Sequence, residues 1–157
     1  MKTGLIKKDK KLSLAAATEE DLVILSALSQ DALVKTSNIT WAKKKRRFVI
    51  LLTRFGWEFN NENKKHNKRI NSIISFDNVL AVKTKGIDQS KTNIILSLLT
   101  ITYKSSSINE HKIELIFSGG GNITLMVECL EVILKDVSYP FKSASSSTPS
   151  HLINSLE

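Results

Sequence analysis

The sequence predicts an α+β domain: a strongly bent antiparallel sheet, or partly open barrel, with a helix at each end. Three observations carry this reading. An apolar stripe at helical spacing follows Thr18, a long middle stretch consists of short β-branched and aromatic runs, and a second helical stripe precedes Pro140. Strands in one run, with helices at the ends rather than between them, indicate α+β rather than α/β.

Each element follows from its residues. Residues 1–10 are polar and basic and read as a flexible arm. Residues 11–16 alternate Lys, Leu, Ser and Leu, a short strand. Thr18 stands three residues before Asp21, a hydroxyl N-cap with acids in the first turn. It predicts a helix over 19–34, with Leu22, Leu25, Leu28, Ala32 and Leu33 on one face and Ser29, Gln30 and Asp31 on the wet side. Ile39 and Trp41 alternate with polar neighbours, and 48–55 is rich in β-branched and aromatic residues. That pair predicts a hairpin with its tip at 42–46.

Residues 60–67 hold no apolar side chain and read as a loop. Residues 70–83 form a second strand region, bent near Asp77-Asn78, and 93–103 and 112–117 are further strands. Gly119, Gly120 and Gly121 supply a turn into the last strand, 122–126. Val127, Leu130, Ile133, Leu134 and Val137 then recur at helical spacing, with Glu128, Glu131, Lys135 and Asp136 between them. This predicts a C-terminal amphipathic helix over 127–137. A single domain over 11–140 would precede a disordered, Ser-rich tail at 141–157. With the last helix packed across the open end of the sheet, the element order resembles the pleckstrin-homology-like architecture.

Composition excludes several classes. The 157 residues include one cysteine, Cys129, so neither an internal disulfide nor a multi-cysteine metal site can form. Three scattered histidines do not suggest a histidine-rich centre, and no motif calls for a cofactor. No apolar run approaches the ~20 residues of a membrane span. The lysine-rich start lacks the apolar run of a secretory signal, so the expected location is the cytoplasm.

The formal charge is +8, and it is clustered. Residues 1–11 carry five lysines and one aspartate, and Lys43, Lys44, Lys45, Arg46 and Arg47 are consecutive. Lys64, Lys65, Lys68 and Arg69 form a third group, and the remainder is mildly acidic. Clustered charge allows an anionic partner. Five bases at a hairpin tip beside Trp41 and Phe48 could grip phosphates while an aromatic ring stacks on a base. The same tip could rest on an anionic lipid surface. It could equally be a solvated turn that discourages edge-to-edge aggregation, with both aromatics in the core. Lys64, Lys65, Lys68 and Arg69 would assist binding only if they lay beside the tip.

Other candidates each have a plain structural reading. The glycine triplet lacks the Lys-Ser/Thr of a phosphate loop and suits a tight hairpin. Cys129 would open the predicted helix, where a thiol pKa can fall, but a small buried hydrophobe fits it as well. His66 and His111 are its only candidate bases. Asp77, Asp88, Glu58 and Glu114 show no pairing for acid–base work. Trp57, after Gly56, could line a groove or anchor the core.

The phrases TEEDLVILSALSQDA, RFVILLTRFGWE, SFDNVLAVKTKGID, LSLLTI and FSGGGNITLMVECLE resemble an uncharacterised alphaproteobacterial family of small proteins, a domain of unknown function. The resemblance covers roughly 12–137 and implies a bacterial cytoplasmic protein, with no established activity, substrate or catalytic residues. The leading functional expectation is a non-catalytic binding or adaptor module that engages a protein partner through a groove or edge of the sheet. The alternative is electrostatic binding of nucleic acid or an anionic surface through 43–47. An enzyme is a third reading that no convergent motif supports.

Overall fold

Period-two alternation dominates the chain and builds one extensive antiparallel sheet. The computed structural model describes residues 11–59, 68–107 and 110–142. Its strands are β1 (Ser13–Ala16), β2 (Leu33–Lys35), β3 (Ile39–Ala42), β4 (Arg47–Phe55), β5 (Lys68–Phe76) and β6 (Val79–Lys85). They continue as β7 (Ile95–Ser107), β8 (Glu110–Phe117), β9 (Asn122–Val127), β10 (Val132–Asp136) and β11 (Phe141–Lys142), and helix α1 spans Glu19–Leu28. The expected arm at 1–10, the loop at 60–67 with Lys64 and Lys65, and residues 143–157 of the expected tail lie outside the described residues, while the first two tail residues, Phe141 and Lys142, form β11.

Hydrogen-bonded neighbours run β1-β10-β5-β4-β2-β7-β8-β9-β6, with β11 added to β5 and β3 to β4. The sheet does not close on itself among the described residues. Among the described residues β3 pairs with β4 alone and β6 with β9 alone. Phe48, Ile50, Leu52, Ile74, Phe76, Leu115, Phe117, Leu125 and Leu134 fill the concave side. The predicted bent sheet, the 39–55 hairpin and the glycine turn are all present, with Gly119 and Gly120 at φ of 83° and 90°.

Helix α1 starts as its cap dictates: Thr18 Oγ1 accepts a hydrogen bond from the Asp21 amide at 3.2 Å. Leu22 and Leu25 bury its apolar face. The helix ends six residues earlier than expected. Ser29 Oγ donates to the Leu25 carbonyl, Asp31 adopts φ 65°, and the chain enters β2 instead. The backbone bonds Asp31 N to Leu98 O and Leu98 N to Ala32 O draw this stretch onto β7. Long-range strand pairing here outweighs local helical spacing.

The C-terminal helix expected over 127–137 is not formed. Val127 ends β9, a turn follows, and Val132–Asp136 is strand β10, paired to β1 on one side and β5 on the other. Val132, Leu134 and Asp136 are buried while Ile133 and Lys135 are exposed, a period of two. Three successive apolar residues, 132–134, satisfy either period, and a buried acid disguised the strand pattern. The pleckstrin-homology-like expectation rested on that helix and loses its support.

The buried acid answers a buried base. Arg54 is fully buried in β4. Its Nε and Nη2 donate to Asp136 at 3.0 and 2.8 Å, and its Nη1 and Nη2 donate to Glu58 at 3.0 and 2.7 Å. Ser72 Oγ donates to Asp136 Oδ1 at 2.6 Å. Burial opposes the guanidinium charge, but the hydrogen bonds and charges of Glu58 and Asp136 outweigh it and raise the Arg54 pKa above its ordinary value. The network ties β4 to β10 across β5. Removing one partner of a buried pair costs about 3–5 kcal/mol. Because Glu58 remains, we expect Asp136→Ala to cost about 3 kcal/mol in urea unfolding, and an Arg54→Met/Asp136→Leu double variant to recover part of that loss.

Candidate functional site

The basic run is the turn of the β3–β4 hairpin. Lys43–Lys45 form one 3-10 turn, and Arg46 closes it with φ 52°. The run is not uniformly free. Arg46 is ion-paired with Glu128, and Arg47 Nε donates to Asp77 Oδ1 at 2.6 Å. The hydrogen bond and charge of Asp77 raise the Arg47 pKa. Lys43, Lys44 and Lys45 are exposed, with no ion pair among the described residues. Phe48 is buried and Trp41 is half-buried.

Lys68 and Arg69 do not join the tip. The β4–β5 register pairs Phe48 with Phe76 at the tip end and Phe55 with Arg69 at the other. Seven residues of strand separate them, roughly 24 Å at about 3.4 Å per residue. Arg69 is also only 8% exposed, and its guanidinium lies 5.3 Å from the Phe55 ring centroid. Burial lowers its pKa, with the charge of Asp31 acting the other way.

A different segment meets the tip. At Asp77-Asn78, where Asn78 takes φ 60°, the chain leaves β5. The Val79 amide donates to the Arg46 carbonyl at 2.9 Å, so β6 begins where β3 ends. β6 then runs away from the tip to Gly86, φ +73°. A Cβ there would meet the Gly120 carbonyl oxygen at 2.8 Å, so the turn requires glycine. The following loop returns to the start of β3: Thr36 Oγ1 donates to Lys91 O at 3.0 Å, and the Ser37 amide to Thr92 O at 3.2 Å. β3 and β6 thus face each other with opposite directions across an open seam.

A cleft of about 360 Å³ lies in this seam. Ile39, Trp41, Phe48, Val82, Ile87 and Ile123 supply its apolar walls. Thr36, Thr84, Gln89, Lys91 and Thr92 supply its polar ones. The two bounding segments, 36–45 and 79–92, contain Lys43, Lys44, Lys45, Lys83, Lys85 and Lys91 against one acid, Asp88. Asp88 Oδ1 already accepts from the Ser90 amide at 3.0 Å and from Ser90 Oγ at 2.6 Å. Sequence reasoning missed Lys83, Lys85 and Lys91 because they are dispersed; only the fold gathers them along the seam that the tip closes at one end.

Other predicted sites resolve differently. Cys129 is exposed in the turn after β9, neither at a helix N-terminus nor in the core, and its Sγ accepts from Asn78 Nδ2 at 3.2 Å. His111 contacts the Tyr103 hydroxyl through Nδ1 at 2.5 Å. Trp57 is half-buried as an anchor: its indole N–H donates to the Gln30 carbonyl at 3.2 Å and its ring meets Phe55 edge-on. No group of three or more His, Cys, Asp and Glu that could hold a metal occurs among the described residues. A groove of about 430 Å³ on the outer sheet face, beside Leu33, Leu51, Ile95 and Val137, has no charged group but Lys35.

Comparison with known proteins matches residues 12–151 to the family described as "Protein of unknown function (DUF2948)". The chain belongs to this family. No curated protein and no solved structure matches it. Among the described residues no helix is long and apolar enough to cross a membrane.

The loop wall of the cleft yields a pH prediction. Hydrogen bonds from the Ser90 hydroxyl and amide hold the Asp88 pKa below its ordinary value. A carboxylate with a depressed pKa keeps these contacts above the ordinary range and loses them as pH falls through its lowered value. Ser90→Ala should move the Asp88 carboxyl back toward the ordinary range in an NMR titration.

Proposed function

We propose that the protein is a non-catalytic binding or adaptor module that takes an extended segment of a protein partner at the seam between β3 and β6. The observation that supports this best is an apolar cleft bounded by two strand edges, each paired on one side only among the described residues. A free edge offers a row of backbone donors and acceptors for strand addition, and an adjoining apolar cleft selects alternate side chains. The volume of about 360 Å³ suits one or two apolar side chains rather than a large ligand. A cytoplasmic location belongs to the same proposal.

Selection of random twelve-residue displayed peptides on the protein tests it. Peptides with apolar anchors should be enriched, and should lose about tenfold or more in affinity on Trp41→Ala and on Val82→Lys. Enriched peptides that bind both variants as tightly as the wild type would sink the seam as the site.

A second reading has one observation behind it: Lys43, Lys44 and Lys45 stand exposed and without ion pairs among the described residues. They would be the core of an anion-binding tip for nucleic acid or a lipid surface. Arg46 and Arg47 would contribute less, since Glu128 and Asp77 already engage them. On this reading, affinity for a single-stranded oligonucleotide falls steeply between about 50 and 200 mM salt, and replacing the three lysines with glutamate abolishes it. A flat salt dependence would reject it.

A further inference from the structure

The partner's side-chain pattern can be read from the two faces of β6. Val82 and Thr84 line the cleft, so Lys83 and Lys85, alternating with them, project to the opposite side, and both are exposed. β3 repeats the arrangement: Ile39 and Trp41 line the cleft while Thr40 between them is exposed. A strand added at this seam would therefore have one set of side chains in an apolar cleft and the intervening set beside lysines. On adjacent strands such neighbours lie within about 5.5 Å, close enough for charge to discriminate. Lys43, Lys44 and Lys45 lie at one end of the seam and Lys91 at the other. Asp88, the one acid in the two bounding segments, is engaged by Ser90.

From this charge complementarity we infer that the seam takes an extended acidic segment of a partner protein, in which apolar residues entering the cleft alternate with Asp or Glu lying beside Lys83 and Lys85. The inference rests on the seam reading above. A peptide fits better than a nucleic acid. Six of the cleft-lining side chains are apolar, Trp41 is committed to the cleft rather than offered as an open stacking platform, and strand edges match a peptide backbone.

Fluorescence anisotropy with labelled eight-residue peptides on the full chain tests it. The probes alternate Val with Glu, Val with Ser, or Val with Lys; a fourth has four Val followed by four Glu, and a fifth is oligo(dT). The Val–Glu peptide should bind about tenfold tighter than the Val–Ser peptide and the block peptide. Lys83→Glu/Lys85→Glu should reverse the preference toward Val–Lys, and Lys83→Gln/Lys85→Gln should erase it. Both pairs are exposed on an edge strand, and circular dichroism checks that the fold is kept. If Val–Ser binds as tightly as Val–Glu, and neither double variant changes this, the acidic pattern is wrong while the seam reading stands. If alternating peptides bind no tighter than the block peptide and Trp41→Ala has no effect, the seam reading fails and takes the inference with it. Oligo(dT) binding more tightly than every peptide, and lost in the glutamate variant, would overturn the inference in favour of nucleic acid.

Discussion

A guanidinium held inside a sheet constrains this molecule more than any other group. Arg54 projects from β4 into the concave face, where water cannot solvate it, so its charge must be met by protein. Asp136 and Glu58 do so through two forked pairs, and Ser72 steadies Asp136 from β5 between them. The geometry leaves little freedom. Asp136 reaches Arg54 only if β10 lies beside β5 in the observed register, with Asp136 opposite Ser72. A helix over the same residues would carry the Asp136 carboxylate away and leave the buried cation to Glu58 alone. The C-terminal segment is thus a central strand rather than a lid.

That outcome decides where the sheet is left open. With 132–136 a strand rather than a helix across its mouth, β3 and β6 confront each other over an apolar gap, and the 87–92 loop and the basic turn bound its ends. An unpaired strand edge invites association, and proteins commonly guard such edges with lysine. Here the six lysines of the bounding segments fit both roles: they repel a second copy of a basic chain and attract an acidic one. The charge that would keep the seam from indiscriminate pairing is also what would select its partner.

Much of the fold was legible locally. Thr18 marked the start of α1 because a hydroxyl cap three residues before Asp21 acts within one turn. Asp77-Asn78 and the glycine triplet marked chain reversals because positive φ is a property of single residues. The 39–55 hairpin followed from Trp41 and Phe48 flanking a charged turn. The errors have one origin. Residues 29–34 and 127–137 carry apolar spacings compatible with either period, and distant strands, β7 in one case and β1 with β5 in the other, settled the choice. Asp136 misled most, since an acid reads as surface until its base is known.

The candidate site divides the same way. The sequence by itself determined that positive charge concentrates at Lys43–Lys45 and the adjoining arginines, that Trp41 sits beside it, and that the chain makes a bent sheet with an N-terminal helix. Only the tertiary structure decided which of those charges remain free, because Glu128 and Asp77 arrive from elsewhere in the chain to pair with Arg46 and Arg47. It also put Lys68 and Arg69 at the far end of the hairpin and spread Lys83, Lys85 and Lys91 along the seam that leads away from the tip. The physical reason is range. Turns, caps and charge runs act over three or four residues, whereas a strand's neighbours, and the charges they carry, are set by hydrogen-bond registers between segments far apart in the chain.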